Sequence, residues 1–236
     1  REMRTKLVGL NENLERRVVE RTAALQQEIA ERKKAEAQRE ALIEDLTNAR
    51  DALHYQATHD ELTQQWNRST VLRALEKELS RTSRQNTPLG VMIMDIDHFK
   101  QVNDNFGHLA GDAVLRAVTK RIGSVVRPYD TVGRYGGEEF IIVLPGCNRA
   151  RARQVAERLR SSFSRFPVKT KEGVFNITMS FGVTTVEGGK KRDMDSVIRE
   201  ADTALYRAKN GGRNRVVLWG DAVAEVVPRR TTRGRA

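Results

Sequence analysis

The first 57 residues and the remaining 179 follow different rhythms of apolar and polar positions. Residues 1–57 contain no proline and one glycine, Gly9, and are rich in Glu, Arg, Gln, Ala and Leu, which favour helix. Placing Leu7, Leu14, Arg21, Glu28, Ala35, Leu42 and Ala49 at heptad position d puts Asn11, Val18, Leu25, Arg32, Arg39, Leu46 and Leu53 at position a. Nine of these fourteen seam positions are apolar, and the stretch between Glu28 and Arg39 is polar. A lone helix of about 85 Å, at 1.5 Å per residue, cannot bury that stripe against itself. A parallel homodimeric coiled coil is therefore expected, with a single solvated helix as the alternative; the polar middle weakens the seam, where two registers can compete.

Beyond "ATHDELTQQWNR" the pattern becomes that of a globular domain. Val71, Leu72, Leu75 and Leu79 form one helical face in "RSTVLRALEKELSRTSR", and "LGVMIMDID" reads as a short apolar strand ending on acid. A helix over "GHLAGDAVLRAVTKRIGSVV" points Val114, Leu115, Val118 and Ile122 inward. "TVGRYGGEEFIIVLP" reads as two strands joined through Gly136 and Gly137. A helix from Ala150 to about Phe163, a strand over "FNITMSFGVTTV", a helix over "DMDSVIREADTALYRAKN" and a strand over "RNRVVLW" follow. This order predicts an α+β domain, with helices packed on a mostly antiparallel sheet. The expected divisions are a helix over 1–57, a domain over 58–219 and a basic, disordered tail over 220–236, which includes "PRRTTRGRA".

Charge sharpens this division. Residues 1–57 carry 11 Lys/Arg and 11 Asp/Glu, whereas 58–236 carry 31 and 20, so the whole net charge of +11 lies in the second part. A basic domain suits an anionic partner such as a nucleotide, a nucleic acid or a membrane surface. The single cysteine, Cys147, excludes an intrachain disulfide, and the longest apolar runs are far short of the roughly 20 residues of a membrane span. A soluble chain in a reducing, cytoplasmic compartment is expected. The start at Arg1, without a methionine, reads as a fragment of a longer protein.

The chemistry gathers at two strand ends. Asp95 and Asp97 close the first core strand, and one of them is expected to face Glu138 and Glu139 at the glycine hairpin. Carboxylates from a strand end and a hairpin tip suit a hard cation with positions left open for phosphate and water, as in Mg²⁺ with a nucleoside triphosphate. Glycines at 136 and 137 permit a tight turn and close approach by phosphate. Glu138 and Glu139 repel each other unless a cation, or an arginine such as Arg134, compensates. A solvated hairpin with two surface glutamates is the plain alternative.

"DELT" with "NR" (Asn67, Arg68), "DIDHFKQVNDNFGHLAGD", "RYGGEEF", "SFGVT" and "ADTALYRAKNGGRN" together resemble the diguanylate cyclases that carry the GGDEF signature, with Glu at its third position. The resemblance covers about residues 58–219, with five motifs in the family's order and spacing. It implies a palm-like nucleotidyl cyclase fold and condensation of two GTP into cyclic di-GMP by two facing domains, each holding one GTP. It implies Mg²⁺, with Mn²⁺ as a substitute, on Asp95, Glu138 and the Ile96 carbonyl. Amides around His98, Phe99 and Lys100 would cradle phosphates. Lys209 and Arg213, four apart at the end of the last helix, would hold the β- and γ-phosphates. Asn103 and Asp112 match the pair reading the guanine edge, and Glu139 would help position metal or the attacking 3′-hydroxyl.

"RPYD" ends six residues before Gly136, where the family places an inhibitory site. The resemblance therefore assigns Arg127 and Asp130, with Arg158 on the following helix, to binding of the cyclic di-GMP product. "ERTAALQQEIAERKKAEAQ" resembles the signalling helices that follow sensors, so an upstream sensory module is expected.

The chain departs from the family at "DELTQQWNR", where Gln64 and Gln65 replace a usual Gly and Leu. The glycine can serve a positive φ and the leucine is normally buried. This keeps open a non-catalytic receptor for GTP or cyclic di-GMP that signals through the coiled coil. A basic nucleic-acid-binding protein is disfavoured because aromatics make up only 6% of the chain. A cyclase making a mixed purine dinucleotide is disfavoured by Asp112, which accepts from the paired donors of guanine.

Overall fold

The computed structural model describes residues 2–165 and 167–221. Most of the expected tail, from residue 222 onward, lies outside the described residues. The chain divides into two compact units, one through Ala57 and one from Thr58. The first is made by helix α1 (Glu2–Thr58). Its Leu14, Val18, Leu25, Leu42, Leu46 and Leu53 are all exposed.

The second unit is built around a five-stranded sheet in the order β2-β3-β1-β6-β7. The strands are β1 (Leu89–Ile96), β2 (Thr131–Arg134), β3 (Glu139–Pro145), β6 (Met179–Val186) and β7 (Val216–Leu218). Every neighbouring pair is antiparallel except β6 and β7. Two short strands, β4 (Val168–Thr170) and β5 (Gly173–Phe175), form a separate hairpin. The helices are α2 (Arg68–Gln85), α3 (Phe99–Phe106), α4 (His108–Val125), α5 (Arg149–Arg165) and α6 (Met194–Asn210).

The central strand β1 is buried along its whole length. Met92, Met94 and Ile96 join a core with Val114 and Val118 of α4 and with Ala156 and Leu159 of α5. Leu89, Val91 and Ile93 join a second core with Val71 and Leu75 of α2 and with Val197 and Ala201 of α6. Cover on both faces explains why "VMIM" has no polar alternation. On β6, a Cβ at Gly182 would lie 2.0 Å from the Ala201 carbonyl oxygen, so glycine lets α6 settle directly on the sheet.

The palm-like α+β architecture expected from the sequence is present, with three local differences. Helix α3 occupies residues for which the sequence reading predicts no element; its apolar stripe of Phe99, Val102 and Phe106, packed on the core and against Phe175, spans only eight residues. The strand expected from Phe175 begins at Met179, and Phe175 instead ends the small β5. Asp221, assigned to the tail, is ion-paired with Arg149 and Arg153 of α5.

Candidate functional site

The end of β1 lies against the start of β3. Asp95 is paired in register with Glu139, and the Ile96 amide donates to the Glu138 carbonyl at 3.4 Å. Asp95 is 5% exposed, and Lys209 from the last turn of α6 donates to its Oδ2 at 2.7 Å. Burial pushes the Asp95 carboxyl up to about 6; Lys209 opposes this shift, while Glu138 and Glu139 add to it. The expectation that one acid of this strand end faces the hairpin is met by Asp95.

Asp97 is equally buried but differently used. Its Oδ2 accepts from Thr178 Oγ1 at 2.7 Å and from the Asn214 amide at 3.0 Å, and its Oδ1 accepts from Ser180 Oγ at 2.7 Å. These bonds tie β1 to β6 and to the chain leaving α6.

Arg134 does not take the place expected beside the two glutamates. Its Nη1 bonds both carboxylate oxygens of Asp60 at 3.1 Å, and its Nε and Nη2 donate to the Gly137 carbonyl at 3.1 and 2.8 Å. Asp60 also accepts from the Thr63 amide and hydroxyl. Burial opposes ionisation of Asp60, but the hydrogen bonds from Thr63 and Arg134 outweigh it and hold the carboxyl below the usual aspartate value. The "DELT" segment is thereby pinned to the hairpin, and the Arg134 amide completes the join by donating to the Trp66 carbonyl at 2.9 Å. Within this segment Gln64 has φ of 59°, the left-handed conformation for which the family's glycine is suited.

The two hairpin glycines serve different needs, and neither has a positive φ. A Cβ at Gly136 would lie 2.8 Å from Glu139 Oε2, so glycine makes room for that carboxylate. A Cβ at Gly137 would meet nothing within 4 Å, so its exposed backbone faces open space.

Helix α3 places His98, Phe99 and Lys100 at its N-terminus, with His98 as cap at φ 59°. The amides of a first helical turn have no intrahelical acceptor and point toward an anion. Asn103, one turn on, lies over α4: a Cβ on Gly111 would fall 1.9 Å from Asn103 Oδ1. Gly111 thus makes room for Asn103 one position before Asp112, and both Asn103 and Asp112 are half-buried. The signal for Gly111 in the sequence is a glycine inside a helical pattern.

Lys209 and Arg213 do not share a helical face. Helix α6 ends at Asn210, and Arg213 lies beyond Gly211 and Gly212 with φ of 60° and an exposed side chain. The two consecutive glycines marked this stop in the sequence.

At "RPYD" the chain makes a reciprocal turn: the Arg127 amide donates to Asp130 Oδ2 at 2.8 Å, and the Asp130 amide donates to the Arg127 carbonyl at 3.0 Å. Burial raises the Asp130 carboxyl, opposed by Arg127, Arg158 and Arg151. Arg158 Nη2 is bonded to the Val125 carbonyl at 2.6 Å, and Arg127 Nη1 to the Tyr129 hydroxyl at the same distance. Arg127, Asp130 and Arg158 are thus brought to one place. Cys147 is buried nearby, and desolvation, reinforced by Asp130, raises its thiol.

Among the described residues, no group of three or more His, Cys, Asp or Glu is arranged to enclose a metal ion. Asp95, Glu138 and the Ile96 carbonyl fit a hard cation that takes its remaining ligands from a phosphate group and water. Burial, opposed by Lys209 and reinforced by Glu138 and Glu139, makes the Asp95 charge costly, and a cation at this strand end would offset that cost.

The profile of the family described as "Diguanylate cyclase, GGDEF domain" matches residues 57–215. The chain belongs to the GGDEF domain family. Its GGDEF relatives include the diguanylate cyclase DgcP of Pseudomonas aeruginosa, 41% identical over 160 residues that cover 68% of this chain and 24% of that protein. The response regulator PleD of Caulobacter vibrioides is 37% identical over 193 residues, covering 81% of this chain and 42% of PleD. The matched region thus covers under half the length of either relative. Among solved structures it resembles the coiled coil and GGDEF domain of DgcB from Caulobacter crescentus in complex with c-di-GMP. That likeness has a TM-score of 0.70 at 33% identity and covers 77% of this chain and 96% of DgcB's. The GGDEF architecture, with a long helix before the domain, is therefore shared with a solved relative.

Proposed function

We propose that this chain is a diguanylate cyclase, condensing two GTP into cyclic di-GMP with release of two pyrophosphates. The observation that carries the reading is the strand-end site. Buried Asp95, facing two glutamates, lies within reach of Lys209. The name of its relative DgcP, 41% identical, supports the same reaction.

In this reading Asp95, Glu138 and the Ile96 carbonyl hold Mg²⁺, with Mn²⁺ as a substitute. The bound metal offsets charge on the phosphate oxygens. The amides of His98, Phe99 and Lys100 donate to the phosphates, and Lys209 and Arg213 hold the β- and γ-phosphates. Asp112 accepts from the N1 and N2 donors of guanine, a pair that adenine lacks, and Asn103 bonds the same base edge. Glu139 orients the 3′-hydroxyl of the GTP held by the facing domain. That oxygen attacks the α-phosphorus, the bond to the β-phosphate oxygen breaks, and pyrophosphate leaves; a second such step closes the ring.

One domain holds one GTP, so two copies must meet. The exposed seam of α1 supports a parallel homodimer, and a shared stalk raises the effective concentration of the second domain to about millimolar. An upstream sensory module would act through the register of this stalk, on the cytoplasmic side where GTP is found. Arg127, Asp130 and Arg158 form the site for product feedback, and no nucleic-acid partner is invoked.

The test is incubation of purified protein with GTP and Mg²⁺, following cyclic di-GMP by chromatography beside a Glu138→Ala variant. Product from the parent and none from the variant is expected. A folded, dimeric parent that binds GTP yet forms no product would favour the receptor reading.

A further inference from the structure

We propose that Lys209 occupies the cation position on Asp95 in the nucleotide-free site and leaves it only for incoming phosphates, so that metal and nucleotide enter together. The inference rests on the proposed cyclase site and adds an internal competitor to it.

The argument begins with access. Asp95 is 5% exposed, and its Oδ2 is already engaged by the Lys209 ammonium at 2.7 Å. A divalent ion approaching this carboxylate meets a fixed positive charge a few ångströms away, and like charges at such range repel strongly where water is scarce. Lys209 has nevertheless kept the means to leave. Its side chain is 31% exposed, it stands one residue before the end of α6, and a flexible four-carbon stem carries its charge.

The alternative partner is a triphosphate. Held at the start of α3, it offers the lysine several oxygens of higher charge than one carboxylate. Transfer of the ammonium to those oxygens uncovers Asp95 as the metal arrives with the nucleotide. Glu138 and Glu139, which already act on Asp95, then face a divalent ion in place of a single positive charge. Metal without nucleotide must displace Lys209 with nothing to receive it. By linkage, the factor by which nucleotide tightens metal equals the factor by which metal tightens nucleotide.

The experiment is a Mn²⁺ titration of the full chain, read by the electron paramagnetic resonance of free Mn²⁺. It is run without nucleotide and with a saturating non-hydrolysable GTP analogue. Lys209→Met, which keeps the apolar stem, is expected to tighten nucleotide-free Mn²⁺ binding by on the order of tenfold. The cooperativity between Mn²⁺ and the analogue should fall by a similar factor. Lys209→Arg, which keeps the charge, should bind nucleotide-free Mn²⁺ as the parent does. Lys209→Gln serves if the methionine variant does not fold. Nucleotide-free Mn²⁺ binding no tighter in the uncharged variants than in the parent overturns the proposal. A gain that survives addition of Asp95→Asn would instead move the metal away from Asp95, contradicting the metal-site reading itself.

Discussion

Asp95 and Asp97 leave the same strand two residues apart, are each 5% exposed, and live in different worlds. The pocket around Asp97 is finished: two hydroxyls and a backbone amide satisfy its carboxylate, and the result ties β1, β6 and the chain after α6 together. The region around Asp95 is unfinished. Its hydrogen-bonded ion-pair partner is the half-buried Lys209, two glutamates act on it, and burial pushes its carboxyl up to about 6. Burial alone therefore does not mark a functional carboxylate; what separates the two is whether the fold itself supplies enough donors.

The largest effect should come from Asp95→Asn, which preserves shape and removes charge. Initial-rate assays should show kcat for cyclic di-GMP formation falling by about 10³, with the circular dichroism spectrum unchanged. A variant within tenfold of the parent would erase the contrast between the two aspartates.

Asp97→Ala should act on stability first. Loss of the acceptor strands the Thr178 and Ser180 hydroxyls and the Asn214 amide, and urea unfolding should show a destabilisation of about 3 kcal/mol. A stable Asp97→Ala with no activity would place Asp97 in the chemistry instead.

The pH dependence sharpens the same comparison. In metal-free protein the Asp95 carboxyl titrates near 6, above the ordinary 3.8, so the folded chain holds that proton more tightly than the unfolded chain. The ionisation penalty is absent below 3.8, grows between 3.8 and 6, and is complete above 6. Asp95→Asn should therefore gain stability relative to the parent as pH rises from 4 to 7, by up to about 3 kcal/mol. Parallel curves across that range would mean that Asp95 is not strained by its charge.

A smaller change tests the nucleotide end. Gly111→Ala must displace the Asn103 amide, since its Cβ would fall 1.9 Å from Oδ1. The KM for GTP should rise by about tenfold, the scale of one well-made hydrogen bond to a base. An unchanged KM would remove Asn103 from base recognition.

The sequence made part of this arrangement legible. The run "VMIMDID", the glycine hairpin and the amphipathic faces of α2, α4 and α6 were readable because burial imposes period on contiguous residues. Other features depend on partners far apart in the chain. Nothing local links Arg134 to Asp60, 74 residues away, or Asp97 to Thr178 and Ser180. Helix α3 is hard to read because its stripe, Phe99, Val102 and Phe106, is only eight residues long. Gln64 was suspected from the glycine it replaces, and its φ of 59° gives that suspicion a conformation; a non-glycine residue there costs about 1–2 kcal/mol.

The most direct test of the central claim is a crystal of the protein grown with Mn²⁺ and a non-hydrolysable GTP analogue, read by the anomalous difference map. The account predicts a peak at about 2.1 Å from oxygens of Asp95 and Glu138, with Asp97 still bonded to Thr178 and Ser180. A peak ligated by Asp97, or nucleotide bound with its metal away from both Asp95 and Glu138, would contradict it.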